Sequence, residues 1–175
     1  TKVDDIVSFA PSLQVQSPGG EGVPIFSLRG VSMADFSPSQ SGPVATYFDE
    51  VYRGVGALLG VSMFDIERVE VLRGPQGTLY GKNTTGGAIN IISKKPVFED
   101  GGDISLGYGN YDHWQASGAA NLALNEALAA RLAFTAETAD GWMTNKLPVE
   151  KKLNATRNYA ARLSVLVRPT DNSEF

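Results

Sequence analysis

The pattern of hydrophobic and polar positions changes character near Pro96. Beyond Gly101 apolar and polar residues alternate with period two, the spacing of strands whose two faces differ. Ile104, Leu106 and Tyr108 share one face, with Ser105, Gly107 and Gly109 on the other. The next run sets Trp114, Ala116, Gly118, Ala120, Leu122 and Leu124 against His113, Gln115, Ser117, Ala119 and Asn121. A third sets Leu128, Ala130, Leu132, Phe134 and Ala136 against Arg131, Thr135 and Glu137. The fourth sets Tyr159, Ala161, Leu163, Val165 and Val167 against Arg162, Ser164 and Arg168. Four antiparallel strands are predicted, with tight turns at GNYD and NE and a long polar connection over residues 140–158.

Upstream of Pro96 no period persists, and Pro and Gly punctuate the chain. A short helix is predicted over residues 4–9, ended by Pro11, and brief strands over 13–16 and 25–28. Residues 44–52 form a β-rich run. A helical turn over 64–68 leads into a strand over 69–72, and 88–93 is a further β-rich segment. SPGGEG and MADFSPSQSG between them are turn-forming. The sum is a small α+β domain with long loops, placed at residues 1–98, followed by a strand region at 99–175.

Alternation alone leaves two readings open. A soluble antiparallel sheet with one wet face alternates, and so does the wall of a membrane barrel. Short turns at one end of the strands and a long loop at the other suit a barrel, as do Tyr108, Trp114 and Tyr159 clustered at the long-loop end. Four strands cannot close one, since the smallest have about eight, so the barrel reading makes this chain a fragment. No charge-free stretch reaches the roughly 18 to 20 apolar residues of a membrane helix.

Charge and composition narrow the chemistry. With 15 Lys+Arg against 19 Asp+Glu the net charge is -4, which argues against a nucleic-acid partner. The chain has no cysteine and one histidine, His113, so thiolate sites, His-rich metal clusters and His-based triads are absent. Gly81-Lys82 resembles the centre of a phosphate loop, but Gln76 stands where the first glycine belongs and Asn83 replaces Ser/Thr. The acid pairs Asp65/Glu67 and Asp49/Glu50 read as solvated surface. No enzyme, cofactor or metal centre is predicted.

The segment DIERVEVLRGPQGTLYGKNTTGGAINIISKKP (residues 65–96) closely resembles the second half of the plug domain of TonB-dependent outer-membrane receptors. FAPSLQV, FSLRGVS and PVATYFDEVYRG precede it in the order that family shows. The resemblance implies a plug followed by the first strands of a barrel of about 22, in the outer membrane of a Gram-negative bacterium. The partners it implies are TonB with its inner-membrane motor, outer-membrane lipid and a scarce ligand. A ferric siderophore is the first expectation, with haem, cobalamin or a saccharide as alternatives. A passive porin or adhesin is the rival from another class.

The resemblance also implies roles. Arg29 and Arg73 match arginines that lock the plug to barrel carboxylates. Loops at residues 17–22, 33–40 and 53–60 resemble outward apices, with Asp35, Phe36, Gln40, Tyr52 and Arg53 as ligand contacts. Arg131, Glu137, Arg162 and Arg168 would face the lumen. A signal peptide and a TonB-contacting box are expected upstream of Thr1, and the remaining strands beyond Phe175.

Overall fold

The computed structural model describes residues 7, 10–16, 24–33, 42–54, 63–81, 83–143 and 153–169. The chain divides into two compact units, Thr1–Ser93 and Lys94–Phe175. Apart from Val7, the helix predicted over residues 4–9 lies outside the described residues.

In the first unit β1 (Leu13–Gln16) pairs antiparallel with β2 (Ile25–Leu28). A second sheet comprises β3 (Val44–Phe48), β4 (Val51–Tyr52), β5 (Ile66–Arg73) and β6 (Gly87–Ser93), in the order β4-β3-β6-β5. Only the β3–β6 pairing is parallel. Strand β6, GAINIIS, is central and covered on both faces, which is why its sequence is a nearly unbroken apolar run. One face joins Leu13, Phe26, Leu28, Val44, Met63, Ile89 and Ile91 in the main core, while the other packs Ala45, Tyr47 and Ala88 with Leu72 and Tyr80.

Two predicted elements take a different form. The β-rich run 44–52 is a hairpin, because Asp49 and Glu50 both adopt positive φ, 47° and 66°, as a two-residue type I′ turn requires. The helical turn expected over 64–68 is strand from Ile66 onward. Ile66, Val69 and Val71 pack against the core, and a bulge between Ile66 and Arg68 shifts the register. Arg68 instead reaches Glu67 at 2.7 Å and Glu70 at 2.8 Å along the exposed side. Regular helix among the described residues is the single turn α1 (Gly77–Tyr80), so the domain is mostly β-sheet with little helix rather than evenly α+β.

The second unit is an antiparallel meander of β7 (Gly101–Gly109), β8 (His113–Asn125), β9 (Leu128–Ala139) and β10 (Thr156–Val167), in sequence order across the sheet. Its register brings Tyr108 opposite Trp114 and Leu132 opposite Leu163, so the apolar positions of all four strands fall on one face. That face is the exposed one: Ile104, Leu106, Leu122, Leu124, Tyr159, Leu163 and Val165 are all open. On the opposite face Ala119, Asn121, Ala129, Ala133 and Thr135 of β8 and β9 are buried, while β7 is open along nearly its whole length. No helix among the described residues is long and apolar enough to cross a membrane, which leaves a strand-built crossing untouched.

Candidate functional site

The β3–β4 hairpin presents two of the expected ligand contacts, Tyr52 and Arg53. The Arg53 amide donates to the Thr46 carbonyl at 2.8 Å, extending the ladder one residue past β4. A small hollow of about 40 Å³ opens beside it, walled by Phe26, Met33, Thr46, Tyr52, Arg53 and Gly54 among others. Thr46 is 2% exposed, and its hydroxyl has no hydrogen-bond partner among the described residues. The Tyr52 ring lies so close to Gly54 that a Cβ there would stand 2.7 Å from Cε1. The hollow thus sets aromatic rings beside the Arg53 side of the hairpin, while the Thr46 hydroxyl lies buried beneath it.

Behind the hairpin, the Tyr47 ring packs against Tyr52 and Tyr80 with centroids 5.5 and 4.9 Å away. The Tyr47 hydroxyl donates to the Tyr80 carbonyl at 2.5 Å, and Asn83 Nδ2 donates to the Tyr52 hydroxyl at 2.9 Å. The hairpin is therefore stitched to the α1 loop. Burial, aided by the neighbouring tyrosines, pushes the Tyr47 hydroxyl above the ordinary tyrosine range. The stabilisation from neutral Tyr47 is complete below the ordinary tyrosine pKa and is lost as pH rises through its own. Difference titration of wild type against Tyr47→Phe, followed by phenolate absorbance, is expected to place Tyr47 above the ordinary tyrosine value.

Arg29, at positive φ in the turn after β2, and Arg73, closing β5, are both exposed. Leu28, which precedes Arg29, packs against Gly87, the residue paired with Arg73. Asp35, Phe36 and Gln40 lie outside the described residues.

Arg131, Glu137 and Arg162 sit half-buried on the polar face of the meander. Glu137 is within 3.0 Å of His113 Nε2, so the single histidine joins that face as well. Arg168 lies just past β10, its guanidinium 4.4 Å over the Phe98 ring. Asn121 donates to the carbonyls of Val97 and Glu99 at 2.6 and 2.7 Å. Asp49 is exposed, as expected of a surface acid, and in addition accepts from the amide and hydroxyl of Ser93 at 2.8 and 2.6 Å. Sequence reasoning overlooked both roles: one Asn in a small-residue strand and one Asp in a turn carry no period. Thr46 gave no signal either, since a β-branched residue in a strand is ordinary.

Residues 1–88 match the model of the TonB-dependent receptor plug domain. A vitamin B12 transporter of Vibrio vulnificus is 34% identical over 149 residues, covering 82% of this chain and 23% of the transporter. The pesticin receptor of Yersinia pestis is 29% identical over 174 residues, 98% of this chain and 25% of the receptor. The crystal structure of the ferric yersiniabactin uptake receptor FyuA from Yersinia pestis superposes with a TM-score of 0.85 at 29% identity, over 96% of this chain and 26% of that one. The chain spans about a quarter of the length of these proteins.

Proposed function

This chain belongs to the family of TonB-dependent receptor plug domains, and we propose that it is the plug (residues 1–98) and first barrel strands (residues 99–175) of an outer-membrane receptor for a ferric siderophore. The receptor belongs to a Gram-negative bacterium and takes up its ligand with energy delivered through TonB. The observation that carries the membrane half of this reading is the inverted burial of the meander. A sheet in water hides its apolar face. Here Leu106 is 75% and Leu163 68% exposed, while Ala129 and Ala133 opposite are 0% and 1%. Strands of 9, 13, 12 and 12 residues are long enough to cross a hydrocarbon core, which takes about 9 to 11 residues when tilted.

In the complete receptor about 22 strands close around the plug. Arg29 and Arg73 pair with carboxylates on strands beyond this segment, and Arg131, Glu137, Arg162 and Arg168 line the polar wall. A forked guanidinium against a carboxylate is favourable while paired, and losing one partner strands a charge at a cost of about 3 to 5 kcal/mol. Such a contact holds firmly yet can be exchanged for water, as a plug that must yield requires. Tyr52 and Arg53, with Asp35, Phe36 and Gln40, meet the ligand. A preformed chelate suits them: a cation and aromatic rings recognise an anionic, oxygen-rich shell rather than bare iron. The receptor hydrolyses nothing, and the proton gradient drives transport through TonB.

The test is uptake by the full-length receptor in a strain lacking its own. Ferric siderophores are expected to enter only when TonB is present, with surface binding unchanged by its deletion. Arg53→Gln is expected to weaken binding about tenfold, the loss of one charge-assisted contact, with normal receptor abundance. The likeness to a vitamin B12 transporter supports cobalamin as the second reading; uptake of cobalamin and of no ferric chelate would establish it. Uptake that persists without TonB would overturn the energy coupling.

A further inference from the structure

The passage between the two units is gripped at both ends by side chains. On the first unit's side, β6 ends at Ser93, whose amide and hydroxyl both donate to the Asp49 carboxylate at 2.8 and 2.6 Å. Asp49 sits in the hairpin turn of the parallel neighbour β3, and its own amide donates to the Ile91 carbonyl at 2.9 Å. The last residue of the central strand is thereby tied into the sheet it leaves.

On the second unit's side the grip is Asn121, 2% exposed within β8. Its Oδ1 accepts from the Val97 amide at 3.0 Å, and its Nδ2 donates to the carbonyls of Val97 and Glu99 at 2.6 and 2.7 Å. A carboxamide has the donor and acceptor of a peptide group, so Asn121 serves Val97 as a neighbouring strand would. The same stretch is fastened twice more. The Asp100 carboxylate accepts from the Ala123 amide at 2.7 Å, and Phe98 lies under the Arg168 guanidinium.

Between the grips remain only Lys94, Lys95 and Pro96. Three extended residues reach at most about 10 to 11 Å. Proline fixes its own φ, and the residue before it is pushed to extended conformations. Torsional freedom is thus concentrated at Lys94.

We propose that Asp49 and Asn121 are paired clamps that make residues 94–96 a short, stiff coupling, so that a displacement of the first unit is delivered to the second at Val97 instead of being taken up by slack chain. This goes beyond the transport reading and does not depend on the ligand. Removing either clamp lengthens the free segment: without Asn121 it runs from Lys94 through Val97 to the Phe98 that Arg168 covers, and without Asp49 it begins at Ser93.

Hydrogen exchange on the full-length receptor, with trypsin cleavage after Lys94 as a second readout, tests it. Asn121→Ala is expected to speed exchange of the Val97 amide at least tenfold and to speed cleavage, with β9 and β10 unchanged. Asn121→Asp keeps the acceptor for Val97 and loses both donations, so Val97 is expected to stay largely protected while cleavage rises; it serves where the alanine variant inserts poorly. Asp49→Gly keeps the positive-φ turn and removes the carboxylate, and is expected to expose the Ser93 amide alone. Asp49→Asn retains an acceptor and is expected to resemble wild type. Unchanged protection at Val97 in Asn121→Ala, or acceleration spread evenly over all strands of the second unit, would overturn the proposal.

Discussion

Replacing Gly87 by alanine is expected to destabilise the first unit by about 2 to 4 kcal/mol, the lower part of the range open to strained backbone and overpacking at about 1 to 3 kcal/mol each. Gly87 opens β6 at φ 149°, paired with Val44 on one side and Arg73 on the other. A Cβ there would stand 2.4 Å from the Leu72 carbonyl oxygen and 2.6 Å from Leu28 Cδ2. Neither neighbour can give way: one is backbone inside the β5–β6 ladder, and the other is a fully buried core side chain. The readout is hydrogen exchange of β5 and β6 amides in the full-length receptor, where protection should fall by roughly 30- to 1,000-fold. Gly54→Ala is the internal comparison, because the atoms nearest its added methyl belong to the Tyr52 side chain and not to backbone, and its φ is not in the left-handed region. Equal losses at the two glycines would mean that the close packing around Gly87 is not what holds β6 in place.

The parts of this fold that were legible from sequence are those in which the pattern and the packing obey one rule. In the meander every strand alternates strictly and pairs with its sequence neighbour, so the predicted runs and the observed strands differ by only a few residues at their ends. Strand β6 was legible for the opposite reason, as a continuous apolar run with cover on both faces. The β3–β4 hairpin was hidden because Asp49-Glu50 lacks the glycine that usually marks a two-residue turn; both acids adopt positive φ, and Asp49 is held there by Ser93. The start of β5 was misjudged because the bulge after Ile66 breaks the alternation that would have marked it. For the site, Tyr52 and Arg53 entered through family resemblance, and the geometry adds the hollow they share with Thr46. Asn121 was visible only as one more member of a polar face. Its importance comes from Val97 and Glu99, more than twenty residues back along the chain, a pairing that no local pattern encodes.

Leu132→Arg in the full-length receptor is expected to cut the amount of inserted barrel sharply, whereas Arg131→Gln one residue away is expected to leave insertion unchanged. The two side chains leave opposite faces of β9. Leu132 is 50% exposed opposite Leu163, and Arg131 is half-buried opposite Ser164. With lipid against the apolar face, an arginine near the bilayer midplane costs about 2 to 4 kcal/mol, enough to shift assembly by one to three orders of magnitude. Glutamine at 131 removes a charge from the polar face, where water and polar groups accommodate the change. Val165→Arg and Arg162→Gln repeat the contrast on β10. Heat-modifiable migration of the outer-membrane fraction measures it, since only an assembled barrel migrates as a compact species before boiling. If all four variants insert equally well, the apolar face of the meander meets something other than lipid, and its exposure here reflects cover by a protein surface outside this segment.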